Sequence, residues 1–300
     1  MQLAQLWPGP EFSPAQSLFY YTQRMVTAPV MRRMIVSGLC ALVRLRAGAQ
    51  RIDQATATQV NDASRLLKAD GFAALGTLFT PAQLVEIHRF LADKLLEEHG
   101  PRGRTFPLKA APADMRMADY GLGDVLDCPH ILQLANSPAL LSLATQYIGC
   151  KPTLSAIGLR WSFPVDAPGE GLQAFHRDSD DWRFVKVFVY LTDVEHGCGP
   201  HVYVKGSHRA PAPLRLRTYG DEELGRAYGD EQIVSVTGPA GMGFAADTYG
   251  IHKGEVPTTR PRLLLQFQYS ILPVYAYRYR PLARQGAQAF DAYINRLILR

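Results

Sequence analysis

FVKVFVYLTDVEHGCGPHVYV, residues 184–204, decides the reading of the fold. Phe184 to Leu191 is a run of valines and aromatic residues broken only by Lys186. Side chains of this kind, at this density, suit a strand covered on both faces. His196-Gly197 marks a turn, and His201–Val204 resumes the strand pattern. Working outward, further short runs stand at Thr153–Ser162, Leu172–His176, Gln232–Val236, Gly243–Ala246 and Arg262–Ser270. Ala167-Pro168-Gly169 and Gly238-Pro239-Ala240-Gly241 punctuate them. Many short strands with no helices between them predict an antiparallel sandwich or barrel.

The half before residue 153 reads differently. Thr80-Pro81-Ala82-Gln83 is a capping box, with Thr80 as N-cap, Pro81 at the first helical position and Gln83 reaching back. Phe79 and Leu84 are spaced as a hydrophobic staple, and the helix is expected to run to Gly100. A second helix is expected from Thr27 to Gly48, with Pro29 in its first turn. On its wheel Arg32, Arg33, Arg44 and Arg46 share one arc, and Val30, Met31, Met34, Ile35, Leu42 and Leu45 the other. That pattern predicts a helix packed by its apolar side with a solvated basic side, or a surface touching anionic lipid. The first 25 residues, with Pro8, Pro10 and Pro14, read as irregular. Pro101–Tyr120, with Lys109, Arg116 and Tyr120, reads as a long loop of the kind that covers substrates. A closing helix is expected from Ala287 to Leu299.

Length and composition are those of a globular chain. The 300 residues are 47% apolar and 20% charged, enough for one large domain with helical additions. We divide it into a helical extension, 1–60, and a main domain, 61–300. The net charge of +5 fits an anionic small molecule, a membrane surface or a nucleic acid equally well. Cys40, Cys128, Cys150 and Cys198 are scattered, which predicts reduced thiols in a cytoplasmic protein. The first 25 residues lack the pattern of a secretory signal. The longest apolar run, Met34 to Val43, is too short to span a bilayer.

The chemistry is carried by Phe175-His176-Arg177-Asp178. Side chains alternate along extended backbone, so His176 and Asp178 project from one face and can share a metal ion. A third ligand is available at His252, 76 residues on, after the strand Gly243–Ala246. Two imidazoles and a carboxylate on one octahedral face leave adjacent positions open, as Fe(II) needs to take a bidentate co-substrate and O2. Ten residues beyond His252, Arg262 opens the apolar strand Arg262–Ser270. A guanidinium inside a barrel is costly unless it meets an anion, and its fork matches a carboxylate.

Over residues 68–271 the chain resembles the phytanoyl-CoA dioxygenase family. The pieces are Asp70-Gly71-Phe72, Phe175-His176-Arg177-Asp178, Tyr190-Leu191-Thr192-Asp193, Gly199-Pro200-His201-Val202-Tyr203-Val204, Gly206-Ser207-His208, His252-Lys253-Gly254 and Arg262, in that order. The resemblance implies a double-stranded β-helix, a jelly-roll barrel of cupin type, with helices outside. It implies Fe(II), 2-oxoglutarate and O2, with iron on His176, Asp178 and His252 and the far carboxylate of 2-oxoglutarate on Arg262. In related halogenases chloride replaces the carboxylate, so Asp178 implies hydroxylation. The implied reaction turns 2-oxoglutarate into succinate and CO2 and a substrate C–H into an alcohol. Two features depart from the family: Lys205 stands where proline precedes Gly-Ser-His, and Arg260 shares the strand parity of Arg262.

Around this frame His201 and His208 are read as residues that tie down loops, and Asp180 and Asp181 as a solvated or substrate-facing loop. Trp182 is either core or the aromatic found near the iron pocket in the ectoine hydroxylase branch. Lys186 either enters the pocket to meet an anion or snorkels, and Gln173 and Arg160 are open. The expected partner is a small-molecule substrate, anionic or lipid-linked, with no nucleic acid. Peripheral contact with an anionic membrane is the expectation for the basic helix, and the sequence does not fix the oligomeric state. A metal-dependent isomerase or hydrolase on a similar barrel, without 2-oxoglutarate, is the competing reading; it gives Arg262 no task.

Overall fold

Strand alternation from residue 153 onward builds two sheets that face each other. The computed structural model describes residues 2–9, 11–100, 103–214, 217–283 and 290–300. The chain enters through β1 (Gln2–Leu3) and four helices, α1 (Pro14–Met25), α2 (Pro29–Ala47), α3 (Gln54–Gln59) and α4 (Asn61–Asp70). β2 (Phe72–Thr77), α5 (Pro81–Leu91), β3 (Leu95–Glu98), β4 (Thr105–Pro107) and β5 (Met117–Tyr120) follow. Three helices come next, α6 (Leu122–Asp127), α7 (Ile131–Ala135) and α8 (Pro138–Ile148). The strand-rich half holds β6 (Thr153–Ser162), β7 (Phe184–Tyr190), β8 (His201–Val204), α9 (Asp221–Tyr228), β9 (Ile233–Val236), β10 (Met242–Ala246), β11 (His252–Gly254) and β12 (Arg262–Ser270). β13 (Tyr277–Arg278) and α10 (Ala292–Asn295) end it.

The large sheet is antiparallel in the order β2-β10-β7-β12-β6-β5-β3-β4, and β11-β8-β9 forms the smaller one. Val185, Val187 and Val189 of β7 and Leu263, Leu265 and Phe267 of β12 point to one side, into a core shared with Leu67, Ile87, Leu132 and Ile148 of the helices. Phe188, Tyr190, Phe244, Ala246 and Leu264 point the other way and meet Tyr203 and Val236 of the small sheet. Each such buried side chain is worth roughly 1.5–3 kcal/mol. The expected jelly-roll is therefore present, with helices on its outside. Beyond the two ladders, isolated bridges pair segments that flank them, Val194 with Gly238 and His176 with His252 among them.

Asp70-Gly71-Phe72 joins α4 to β2 under two constraints. Gly71 ends α4 with φ of +78°, and a Cβ there would sit 2.1 Å from the Tyr203 hydroxyl. Only glycine satisfies both.

Several local expectations need correction. The Thr80–Gln83 capping box forms, but α5 stops at Leu91 and Leu95–Glu98 becomes β3. There Leu96 is fully buried and paired with Phe106 and Tyr120, so sheet pairing overrides helix propensity. The loop expected at 101–120 supplies β4 and β5, and its first two residues lie outside the described residues. Leu172–His176 is a 3-10 turn followed by two isolated bridges, Phe175 with Tyr219 and His176 with His252, not a strand. The irregular N-terminus contains α1, capped by Ser13 with Pro14 at its first position. The closing helix is reduced to Ala292–Asn295, and residues 287–289 lie outside the described residues.

The largest correction concerns α2. Its expected apolar arc, Ile35 excepted, faces outward: Met34 is 70% and Leu45 85% exposed, while Arg32, Val36, Cys40 and Val43 are buried and Ile35 packs against the core. Arg32 decides the rotation. Its guanidinium donates to the carbonyls of Gln23, Val26, Asp181 and Trp182 at 2.9–3.2 Å and lies over the Tyr249 ring. A wheel drawn from hydrophobicity does not register a buried cation with four carbonyl acceptors.

Candidate metal centre

His176 and His252, 76 positions apart in sequence, are cross-strand partners. Each backbone N–H donates to the other's carbonyl, at 2.9 and 3.0 Å, which brings the two rings to 4.3 Å between centroids. Asp178 is fixed next to them by its N–H, which donates to the Thr248 carbonyl at 2.8 Å. One ligand atom from each of His176, Asp178 and His252 lies within 4.8 Å of the others. His176 Nε2 is 3.7 Å from Asp178 Oδ1, and His252 Nε2 is 3.5 Å from Asp178 Oδ2.

Both imidazoles are set in one orientation by their own backbone. Nδ1 of His176 lies 2.8 Å from the Ala174 carbonyl, and Nδ1 of His252 lies 3.0 Å from the Gly250 carbonyl. A carbonyl only accepts, so each Nδ1 carries the proton and each Nε2 presents a lone pair to the shared space. Burial, then the neighbouring His176, push His252 down to about 3, which keeps its imidazole neutral. Two imidazole Nε2 atoms and one carboxylate form a donor set that fits a divalent first-row metal.

The family-like segments around the site act as braces. Arg177 donates to the carbonyls of Ser207 and Tyr249 at 3.0 and 2.8 Å, locking the His176 segment to the loop before His252. The Ser207 hydroxyl accepts from the Ile251 N–H at 2.7 Å, one residue before His252. His201 is buried, stacks on His252 with rings 22° apart, and is not among the clustered ligands. His208 reaches the Lys68 carbonyl at 3.4 Å instead.

Lys186 is the residue whose role the sequence left open. Its ammonium is 2.7 Å from Asp178 Oδ2 and 3.3 Å from Asp180 Oδ2. Burial alone would lower Lys186 and raise Asp178, but the mutual attraction wins: Lys186 is held above its usual range and Asp178 below it. Asp180 is thus part of an ion cluster, and Asp181 is not solvated. It is fully buried and accepts from the N–H groups of Ile271 and Leu272 at 2.7 and 2.9 Å. Trp182 packs in the main core. Arg160 forms a two-pronged pair with Asp119, and Gln173 accepts from Arg116 at 3.3 Å.

Arg262 and Arg260 separate cleanly. Arg260 is exposed and paired with Glu195 at 3.0 Å. Arg262 is buried on the inner face, where it donates to the Gly199 carbonyl and to Ser162 Oγ at 3.3 Å. Its Nε has no partner, and burial lowers its proton affinity. Gly254 leaves room for the guanidinium; a Cβ there would sit 3.0 Å from Arg262 Nη2. No acidic side chain neutralises Arg262 by direct contact among the described residues. The reading of Gly206-Ser207-His208 as a turn whose polar side chains tie down a loop is met by Ser207, whereas the bracing by Arg177 was missed; its place between His176 and Asp178 was the available hint.

Comparison with known proteins agrees with this geometry. The epimerase SnoN, solved in complex with Fe3+, alpha-ketoglutarate and nogalamycin RO, shares the fold at 20% identity and a TM-score of 0.51, over 72% of this chain and 84% of that one. HygX from Streptomyces hygroscopicus, solved with nickel and 2-oxoglutarate bound, does so at 18% identity and a TM-score of 0.50, over 74% and 90%. No curated protein matches the chain. The sequence model of phytanoyl-CoA dioxygenase matches residues 67–260, which span every residue of the cluster at 176, 178 and 252. The chain therefore belongs to the phytanoyl-CoA dioxygenase family of Fe(II)- and 2-oxoglutarate-dependent enzymes.

Proposed function

We propose that this enzyme hydroxylates a small-molecule substrate, using Fe(II) held by His176, Asp178 and His252 and 2-oxoglutarate anchored by Arg262. The observation that carries this reading is the convergence of three donor atoms within 4.8 Å on the same inner face as a buried, uncompensated guanidinium. When bound, the iron and 2-oxoglutarate supply the oxidising chemistry, with O2 as oxidant and succinate and CO2 as co-products.

The chain's own residues do the rest. The carbonyls of Ala174 and Gly250 hold the two imidazole tautomers, so no proton has to move before a metal is bound. Lys186 fixes Asp178 through Oδ2 and leaves Oδ1 facing His176. Arg262 offers its fork to a carboxylate inside a water-poor barrel, where a charged pair is worth most. No side chain is required as a general base for the oxidation itself.

Labelled O2 tests the proposal. In a substrate screen with Fe(II) and 2-oxoglutarate, one labelled atom should enter succinate and one the product alcohol. A product carrying oxygen from water, with 2-oxoglutarate unconsumed, would instead make the enzyme a hydrolase.

A further inference from the structure

We infer that α2 is a membrane-surface helix that docks the protein on a bilayer carrying anionic headgroups. Its face is built for that and for no interior. Val30, Met31, Met34, Leu42 and Leu45 are all exposed, and at about 100° per residue they share one arc of the helix with Gly38 and Ala41. Arg33 and Arg44 flank the arc on one side and Arg46 on the other, all three exposed. A water-facing helix normally shows the opposite pattern.

Charge complementarity names the occupant. Between Phe12 and Ile52 there are six arginines and no acidic residue. That is +6 against +5 for the whole chain, so everything else sums to −1. Four of the six arginines, Arg33, Arg44, Arg46 and Arg51, are exposed, so unopposed basic side chains stand where apolar surface is exposed, which is the make-up of helices that lie along an anionic interface. Arginine stems cover apolar surface while their heads reach phosphates. A second copy is the poorer occupant, because a two-fold contact would set the same basic segments against each other.

The neighbouring surface continues the pattern. A cavity of about 380 Å³ next to α2 is lined by Arg33, Lys68, Arg183 and Arg209, with Asp247 its single acidic lining residue. That carboxylate is already engaged, by the Tyr147 hydroxyl and the Tyr249 N–H. No helix among the described residues is long and apolar enough to cross a membrane, so α2 lies along the surface. Arg32 ties the helix to the carbonyls of Asp181 and Trp182, three and four residues past Asp178, so the docked face adjoins the segment that carries the candidate ligands.

Co-sedimentation of the full chain with phosphatidylcholine vesicles, with and without phosphatidylserine, tests the inference. Binding should require phosphatidylserine and weaken as salt rises. Arg33→Gln/Arg44→Gln/Arg46→Gln should weaken it roughly 100-fold, at about fivefold per arginine. Met34→Glu/Leu45→Glu should abolish it with an unchanged melting curve, since both side chains are exposed in the folded protein. Wild-type protein that stays in the supernatant at low salt overturns the inference, as does full binding by the Met34/Leu45 variant. Light scattering that shows a dimer dissolved by that variant also overturns it, and assigns the face to self-association.

Discussion

Lys186 and Asp178 set the electrostatics of the site at the scale of single residues. One ammonium answers two carboxylates in a pocket where each side chain keeps 14–17% of its surface. Removing it leaves Asp178 and Asp180 side by side in the pocket without their directly bonded cation. Lys186→Met should therefore destabilise the metal-free protein by about 3 kcal/mol, the low end for a broken buried pair because some solvent reaches the site. Fe(II) should restore more stability to the variant than to the wild type, because the metal replaces the missing positive charge. Equal Fe(II)-induced shifts in melting temperature for the two proteins would detach Lys186 from the metal site. Arg262 gives a second prediction. Arg262→Ala should weaken 2-oxoglutarate binding to the anaerobic Fe(II) protein by about 2–5 kcal/mol, roughly 30-fold or more, and leave iron binding intact. Arg260→Ala should change little, since its partner Glu195 is exposed. Calorimetric titration that ranks the two variants the other way round would move the anchor to Arg260. At this scale the sequence was informative where parity rules apply. His176 and Asp178, two positions apart, do meet at one site, although their segment is held by an isolated bridge and the Asp178 N–H bond to Thr248 and is not a strand. The sequence was uninformative about Arg177, whose acceptors are the carbonyls of Ser207 and Tyr249, and about Arg32, two of whose acceptors are the carbonyls of Asp181 and Trp182, far away in the chain.

At the scale of elements, α2 packs on the main core through Val36, Cys40 and Val43, and buried polar contacts add to that apolar stripe in mooring α1 and α2. Gln23 of α1 reaches Asp181 at 3.2 Å, and Arg32 of α2 donates to four carbonyls. Replacing Arg32 with leucine strands those carbonyls and should cost roughly 2–4 kcal/mol. Hydrogen exchange should then accelerate across residues 14–47 while β7 and β12 keep their protection; unchanged exchange in α1 and α2 would show that the mooring lies elsewhere. Asp181 adds a pH dependence. Burial pushes its carboxyl up to about 7, although backbone N–H groups pull the other way. An unfolded aspartate titrates near ~3.9. Between about pH 4 and about pH 7 the folded protein keeps a proton that the unfolded chain has released, so this group's contribution to stability falls as pH rises through that window. Asp181→Asn should flatten that slope in urea unfolding midpoints. The same slope in both proteins would exclude Asp181 as its source. Gln23 Oε1, buried and unpartnered, becomes an acceptor for the protonated carboxyl if the amide is turned over.

For the whole molecule, the strands were legible because their signal is dense and local. Thr153–Ser162, His201–Val204 and Arg262–Ser270 fall where valine, aromatic and alternating patterns put them. β3 was not legible, because Leu95-Leu96-Glu97-Glu98 has helix-forming composition and becomes a strand only through pairing with β4 and β5. The outward rotation of α2 was equally hidden, since it follows from acceptors supplied by residues 181 and 182. What the two sheets achieve together is placement. β11 carries His252, the β12 register sets Arg262 opposite Ser162, and the bridge to His176 closes the space between the sheets. The account stands or falls on that space binding iron and 2-oxoglutarate together. The most direct measurement is anaerobic titration of Fe(II), followed by 2-oxoglutarate, read by iron stoichiometry and the weak visible charge-transfer band of the chelate. The account predicts one iron per chain and a band in the wild type, and loss of both in His176→Ala, Asp178→Ala and His252→Ala with the fold retained. Undiminished iron and an unchanged band in any of the three would contradict it.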